Sequence, residues 1–158
     1  MINLLQPDKK ISCITNISLE ELQIGDYAGL VIDIDNTIMP YGERTIPDNI
    51  RNWLALAESM NFGIHFISNT LKNRADYVEK TLGYPACHQS MKPIKRGFLQ
   101  AQNYLQLPPD RIVMIGDQVF TDILGGNRAG FYTILVEPLN EKDFLLTKFF
   151  RWLENYLR

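Results

Sequence analysis

The sequence has few of the features that mark secreted, membrane-spanning or thiolate-metal proteins. Only two cysteines occur among its 158 residues, Cys13 and Cys87, and they form no C-x-x-C pair, which argues against a zinc site or a disulfide framework. The N-terminal segment lacks the apolar stretch of a signal peptide. No run of about 18 apolar residues is present that could cross a bilayer. The sequence therefore predicts an intracellular, cytoplasmic protein.

Charge and composition also bear on function and fold. The net charge is -2, so no overall basic field favours binding to nucleic acid. Hydrophobic residues make up 46% and charged residues 22%, which is typical of a globular chain with one core. Because no internal repeat, low-complexity segment or linker interrupts the chain, we expect a single domain over residues 1–158, with its core at 28–137.

Short apolar runs alternate with segments of helical periodicity. The runs predict strands at residues 28–34, 63–68, 111–116 and 131–136, and a shorter one near 85–88. Helices are predicted between them, at residues 47–60, 72–82, 95–105 and 119–129, with a short one opened by Ser18. This alternation predicts an α/β fold with a doubly wound parallel sheet and helices on both faces. In such sheets, ligands bind beyond the carboxyl ends of the strands.

Two acidic residues stand where the first of these strands ends, Asp33 and Asp35. If the chain turns at Ile34, both carboxylates can face one cavity, and a hard cation such as Mg²⁺ would offset their repulsion. If the strand continues instead, they point to opposite sides, and the pair is an ordinary acidic strand end.

Polar residues also follow the other predicted strands. Ser68 and Asn69 come after the second, where they could cap the next helix or hold a phosphate. Lys92 precedes a proline, which keeps it out of helical geometry. Asp117 ends the third strand, and Asp122 lies near the start of a helix, where the helix dipole alone favours an acid. Together these residues form a candidate site at one edge of the sheet.

The segments DIDNT, FISNT, KP and IGDQVFTD, in this order, resemble the four motifs of the haloacid dehalogenase (HAD) superfamily. The resemblance spans residues 28–136 and implies a Mg²⁺-dependent phosphatase that forms an aspartyl-phosphate on Asp33. The stretch GDQVFTDILGGNRAGFYTILVEP, with DIDNT and SNT, is similar to the YqeG branch, subclass IIIA. That branch includes phosphatidylglycerophosphate phosphatases of mitochondria and plastids.

The resemblance implies a role for each residue of the first motif. Asp33 would be the nucleophile. Asp35 would protonate the leaving alkoxide and then activate water, while its backbone carbonyl contacts the metal. Thr37 would orient Asp35. Asp33 and Asp117 would be the carboxylate ligands of the metal, and the choice among Mg²⁺, Mn²⁺ and Co²⁺ stays open.

The resemblance also implies roles in binding the phosphoryl group. Ser68 would hydrogen-bond it, with Asn69 close by. Lys92 would pair with both Asp33 and the phosphoryl oxygens. Asp122 would hold either the water shell of the metal or Lys92. Arg74, one turn into the helix after Ser68, could reach a substrate phosphate or face solvent.

The short segments between the motifs indicate the kind of substrate. HAD enzymes for small soluble substrates often carry a cap domain, but only 25 residues separate Thr37 from Gly63 and 22 separate Asn69 from Lys92. An uncapped site favours a large or membrane-embedded substrate, and the YqeG resemblance implies phosphatidylglycerophosphate. A phosphatase for a soluble sugar phosphate or nucleotide is the alternative. A phosphoacceptor receiver domain and a silent scaffold are more remote.

The C-terminal segment has the pattern of an amphipathic helix, over about residues 143–157. A wide face of aromatic and aliphatic residues is flanked by basic side chains, and the polar residues Thr147, Arg151, Glu154, Asn155 and Arg158 occupy the other side. Such a helix either covers the sheet or lies on a membrane surface, and both interpretations remain open. The second would place the protein at the periphery of the inner or an internal membrane.

Overall fold

The computed structural model describes residues 3–140 and 153–156. Six parallel strands form one sheet in the order β1-β6-β5-β2-β3-β4. In chain order the strands are β1 (Lys9–Ile11), β2 (Gly29–Asp33), β3 (Gly63–Ile67), β4 (Ala86–Cys87), β5 (Ile112–Gly116) and β6 (Tyr132–Val136). The five predicted strands are confirmed. The short edge strand β1 was not predicted, because Lys9 and Lys10 give it no apolar run.

Helices connect the strands. They are α1 (Leu19–Ile24), α2 (Asp48–Ser59), α3 (Lys72–Leu82), α4 (Lys95–Leu105) and α5 (Leu124–Ala129). Short 3₁₀ turns lie at Ile14–Asn16 and Pro109–Arg111. The helix predicted over residues 119–129 has two parts, because a π-helical turn at Val119–Ile123 precedes α5.

The sheet is covered on both faces, as the buried residues of β2 show. Leu30 and Ile32 pack into the larger hydrophobic cluster on one face, whereas Val31 packs into a second cluster with Phe98 on the other. Alternate side chains of a strand point to opposite faces, so both faces of the central strand are dry. The doubly wound parallel fold is therefore confirmed.

Sheet topology makes β2 the strand around which the site can assemble. It pairs with β3 on one side and β5 on the other, so the order of connection reverses beside it. Crevices of this kind, at the carboxyl ends of the strands, are the usual ligand sites of open α/β sheets. Asp33 is the last residue of β2 and lies at this crevice.

The two segments that could have held a cap contain one helix each, α2 and α3, within residues 3–140. Most of the predicted C-terminal helix lies outside the described residues, apart from 153–156, which are helical. Glu154, which the sequence places on the polar side of that helix, is buried. No helix in the two described ranges combines the length and apolar character needed to cross a membrane.

Candidate active site

The chain turns sharply after β2. The Ile34 carbonyl accepts hydrogen bonds from the backbone N–H groups of Thr37 and Ile38, at 3.2 and 3.1 Å. Both Asp33 and Asp35 consequently line the same cavity. Of the two alternatives left open by the sequence, the turned arrangement is the one that forms.

Lys92 forms the centre of a buried ionic cluster. Its side-chain Nζ lies 2.5 Å from Asp33 Oδ1 and 2.6 Å from Asp122 Oδ1, and the residue is only 7% exposed. Burial lowers the pKa of Lys92, but the adjacent Asp122 and Asp33 carboxylates outweigh it and raise the pKa above its ordinary value. The ammonium therefore stays charged and fixed between the two carboxylates.

Asp122 reaches Lys92 because of the π-helical turn before α5. In this turn the Ile123 N–H donates to the Gln118 carbonyl five residues back, and the Asp122 carboxylate accepts from the Gln118 N–H at 3.2 Å. A Cβ at Gly116 would lie 2.2 Å from Asp122 Oδ2, so this fold of the loop requires glycine there. Burial and the charge of Asp33 raise the pKa of Asp122 to about 6, while Lys92 opposes the shift.

Three buried carboxylates could hold a cation. Asp33, Asp117 and Asp122 each offer one oxygen, and these oxygens all lie within 4.8 Å of one another. With one Lys92 ammonium among them, the cluster has two negative charges more than positive ones. Oxygen donors at this spacing, with a surplus of negative charge, fit a hard divalent ion such as Mg²⁺.

Thr37 differs from its predicted role. It is buried, and its hydroxyl lies 3.2 Å from Asp33 Oδ2 and 3.5 Å from Asp117 Oδ1. The sequence resemblance implied that Thr37 orients Asp35, but the hydroxyl contacts Asp33 instead. The turn at Ile34 explains the difference, because it folds Thr37 back over the end of β2.

Ser68 and Asn69 join the end of β3 to the segment that carries Lys92. The Asn69 side chain accepts from the Lys92 N–H at 2.8 Å and donates to the Lys92 carbonyl at 3.1 Å. The Ser68 hydroxyl accepts from the Thr70 N–H at 3.0 Å, so it closes a local turn. Neither residue caps α3, whose N-cap is Leu71, so the capping interpretation is wrong.

Ser90 supports this junction and was not predicted. Ser90 is buried, and its hydroxyl accepts from the Ser68 N–H at 3.1 Å. A Cβ added at Gly97 would lie 2.7 Å from the Ser90 Cβ. Because Ser68 and Ser90 are 22 residues apart, no local sequence pattern reveals the contact.

Arg74 has a partner that the sequence did not predict, because its guanidinium donates to the Asp35 carboxylate. The solvent-facing alternative is wrong, whereas contact with a substrate phosphate stays a prediction, since Arg74 also lines the cavity. The same group donates to the Pro40 carbonyl at 3.0 Å and the Glu43 carbonyl at 2.6 Å. Arg74 therefore ties Asp35 to the loop at residues 40–43. Its place one turn after Ser68 was the only signal in the sequence.

An open cavity of about 540 Å³ lies beside the buried ionic cluster. Its lining includes five of the predicted site residues, Asp33, Asp35, Ser68, Asn69 and Lys92, together with Arg44, Leu71 and Arg74. Thr37, Asp117 and Asp122 are not among the lining residues. A carboxylate beside a fixed ammonium, with a second carboxylate at the mouth, is an arrangement suited to phosphoryl transfer.

Comparisons with known proteins agree with this geometry. Residues 90–138 match the HAD-hydrolase-like family model. The probable phosphatase YqeG of Bacillus subtilis is 31% identical over 148 residues, which cover 94% of this chain and 86% of that protein. The chain belongs to the YqeG family of HAD-like phosphatases.

Two eukaryotic proteins similar to this YqeG-family chain carry a more specific name. Phosphatidylglycerophosphate phosphatase 1 of Arabidopsis thaliana, chloroplastic/mitochondrial, is 27% identical over 87% of this chain, which spans 42% of that protein. The mitochondrial phosphatidylglycerophosphatase GEP4 of Saccharomyces cerevisiae is 28% identical over 81% of this chain and 77% of its own length.

The fold of the YqeG-family chain also matches solved structures. One is the cobalt-bound deoxy-D-mannose-octulosonate 8-phosphate phosphatase of Haemophilus influenzae, with a TM-score of 0.55 and 11% identity. The match covers 72% of this chain and 70% of that one. At this identity the likeness supports the shared fold alone.

Proposed function

We propose that this YqeG-family protein is a Mg²⁺-dependent phosphomonoesterase with Asp33 as its nucleophile, and that phosphatidylglycerophosphate is its substrate. The observation that carries the proposal is the Asp33 carboxylate, buried at the end of β2 and held 2.5 Å from the Lys92 ammonium. An attacking carboxylate must be fixed and must approach a dianionic phosphate, and Lys92 contributes to both requirements.

The reaction has two steps. In the first, an Asp33 carboxylate oxygen attacks phosphorus, the ester P–O bond breaks, and Asp35 gives a proton to the leaving alkoxide. In the second, Asp35 takes a proton from water, which attacks the aspartyl-phosphate and releases inorganic phosphate. Asp33 and Asp35 then return to their starting states. Ser68 and Lys92 bind the phosphoryl oxygens throughout.

The residues that would hold Mg²⁺ are Asp33, Asp117 and the backbone carbonyl of Asp35, with Asp122 bound indirectly or through Lys92. The donor set fits because three buried carboxylate oxygens lie within 4.8 Å and outnumber the single ammonium. A bound Mg²⁺ supplies positive charge that offsets the repulsion between phosphate and carboxylate.

The substrate proposal draws on two supports. Relatives that match over most of this chain are named as phosphatidylglycerophosphate phosphatases. The cavity is open at the sheet edge, and within residues 3–140 each inter-strand segment has room for one helix rather than a cap. The product would be phosphatidylglycerol, and the protein would work at the periphery of a membrane. A soluble sugar phosphate or nucleotide is the alternative substrate.

The test is phosphate release by the purified protein from short-chain phosphatidylglycerophosphate and from a panel of sugar phosphates and nucleotides. We expect the highest kcat/KM for the lipid, complete loss on EDTA addition, and recovery with Mg²⁺. A higher kcat/KM for a soluble ester contradicts the substrate assignment. Full activity in EDTA contradicts the metal assignment.

A further inference from the structure

Three large apolar side chains are exposed on the two loops that contribute Asn69 and Lys92 to the cavity. Leu71 is 66% exposed and lines the cavity with Asp33, while Met91 and Ile94 are each 53% exposed. Exposed apolar residues occur singly on most protein surfaces, so exposure alone carries no conclusion. These three differ from such residues in their backbone positions.

Two of them occupy helix N-caps. Leu71 is the N-cap of α3 and Ile94 that of α4, and no side-chain hydrogen bond caps either helix among the residues described at 3–140. Ser, Thr, Asp or Asn is preferred at this position, because its side-chain oxygen accepts an unpaired N–H of the first turn. Helix α1 follows that preference, since Ser18 accepts from the Glu21 N–H at 3.2 Å, whereas α2 begins after Pro47 and also lacks a side-chain cap.

The third residue is in a conformation that suits other side chains better. Met91 has a φ of 55°, in the left-handed region where Gly, Asn and Asp are enriched. Local folding preferences therefore oppose an apolar residue at all three positions. Their apolar character is explained better by a contact outside the chain than by the stability of the fold.

The three residues lie on two loops that are bonded side by side. The bonds between the loops run from the Ser90 N–H to the Ser68 carbonyl at 2.8 Å, from the Gln89 N–H to the Thr70 carbonyl at 3.1 Å, and between Asn69 and Lys92. Met91 and Ile94 are the two ends of one turn, closed by a 2.9 Å bond from the Ile94 N–H. We call Leu71, Met91 and Ile94 the apolar rim.

Two exposed basic residues lie beside the rim, Lys95 and Arg96. Residues 89–97 contain no acidic residue, and their third basic residue, Lys92, is buried between Asp33 and Asp122. Lys95 and Arg96 are exposed in the first turn of α4, where the helix dipole favours acids. Two basic residues thus occupy positions at which the helix dipole disfavours positive charge. An anionic partner would complement this surface.

We propose that the apolar rim, with Lys95 and Arg96, inserts into the surface of an anionic lipid bilayer and sets the mouth of the cavity against the head groups. Apolar side chains flanked by cations are the pattern of interfacial membrane binding. Lys92 belongs to the same turn as Met91 and Ile94, but its side chain points inward to Asp33. This inference rests on the proposed lipid substrate and names the surface through which it is reached.

The test is co-flotation of the full chain with vesicles of phosphatidylcholine, with or without phosphatidylglycerol. The rim variant is L71S/M91N/I94S, and the matched control is I24S/L56S/Y104S, which changes three exposed residues away from the rim. Wild type and control are expected to float with the anionic vesicles. The rim variant is expected to bind these vesicles roughly tenfold more weakly. Because Ser and Asn suit these backbone positions, the rim variant should unfold at the wild-type temperature or above.

Several results would overturn the proposal. They are wild type failing to float at low salt, a rim variant that floats like wild type, and a rim variant that unfolds at a clearly lower temperature. Self-association of wild type that the rim variant abolishes would make the rim a contact between copies instead. A second variant, K95Q/R96Q, should bind anionic vesicles less and neutral vesicles unchanged. If the protein hydrolyses monomeric short-chain lipid but does not float, the membrane-binding role of the rim is rejected and the proposed function stands. If it floats but hydrolyses no lipid, the proposed function is rejected and the membrane-binding role stands.

Discussion

Asp33 and Asp35 are two residues apart, but the protein holds their carboxylates in different ways. Asp33 is buried at the end of β2, with Lys92 at 2.5 Å and the Thr37 hydroxyl at 3.2 Å. Asp35 is partly exposed at the cavity mouth, and its carboxylate accepts from Arg74. The first belongs to a charge cluster inside the protein, and the second to a clamp that also holds a surface loop.

The difference matches the two tasks proposed for these residues. A nucleophile gains from being fixed and shielded from water, because its approach to phosphorus is then set in advance. A general acid and base must exchange protons with a leaving group and with water, which requires access to the mouth of the cavity. The turn at Ile34 produces both environments from one short segment.

Replacing Asp33 with Asn is expected to have the largest effect on activity. Turnover should fall at least about 10⁴-fold, because an amide cannot replace the attacking carboxylate. In metal-free buffer the Asp33→Asn protein should unfold at a higher temperature than wild type. The change removes one of three carboxylates whose oxygens lie within 4.8 Å of one another, and Lys92 keeps its ion pair with Asp122, so the decrease in repulsion should outweigh the lost contact with Asp33. Phosphate release and calorimetry measure the two effects.

Asp35→Asn is the matched control for this comparison. It should reduce turnover by about 10²- to 10⁴-fold, the range typical of a lost general acid and base. Its unfolding temperature in metal-free buffer should not rise, because Asp35 lies outside the buried cluster and the change removes only its ion pair with Arg74. Equal shifts in unfolding temperature for the two variants would show that the two environments do not differ as described.

Removing the clamp on Asp35 is expected to have an intermediate effect. Arg74→Ala frees the Asp35 carboxylate and leaves the Pro40 and Glu43 carbonyls without their donor. A misplaced catalytic group can cost about 100-fold in rate, so we expect a fall in kcat of that order with a smaller change in KM. Arg74→Lys should restore part of kcat, because it keeps a charge near Asp35.

Lys80→Ala is the control for Arg74, since it removes an exposed basic residue from the same helix. It should leave kcat and KM unchanged. If Arg74→Ala raises KM and leaves kcat intact, the residue binds substrate and does not position Asp35.

The sequence predicts most of the sheet because its strands are buried on both faces. Each of β2, β3, β5 and β6 is a short, mostly apolar and mostly buried segment, which is the pattern of a central parallel strand. The edge strand β1 has exposed lysines and forms through its pairing with β6, a contact between distant parts of the chain. Local patterns cannot reveal such a strand.

The same distinction separates the site residues that could be predicted from those that could not. Asp33, Ser68 and Asp117 stand at strand ends, so the topology of a parallel sheet brings them to one edge. Arg74 and Ser90 act through partners 39 and 22 residues away, and those contacts depend on how loops pack. Position relative to the strand ends therefore does not predict the roles of Arg74 and Ser90.

Glu154 is a further case, and its replacement is expected to have the smallest effect. Its carboxylate accepts from the Val119 and Phe120 N–H groups at 2.9 and 3.2 Å, at the start of the π-helical turn that carries Asp122. Both N–H groups precede the first intrahelical bonds, and the positive end of the helix dipole favours a carboxylate there.

Glu154→Ala should therefore act like the loss of a helix cap. We expect it to lower the free energy of unfolding by about 1 kcal/mol. The turn between Asp117 and Asp122 would be less fixed, so the concentration of Mg²⁺ needed for half-maximal activity should rise a few-fold. Urea unfolding and a Mg²⁺ titration of turnover measure these effects, with Asn155→Ala, an exposed neighbour, as the control. If Glu154→Ala matches that control in both assays, the buried carboxylate does not support the acidic turn.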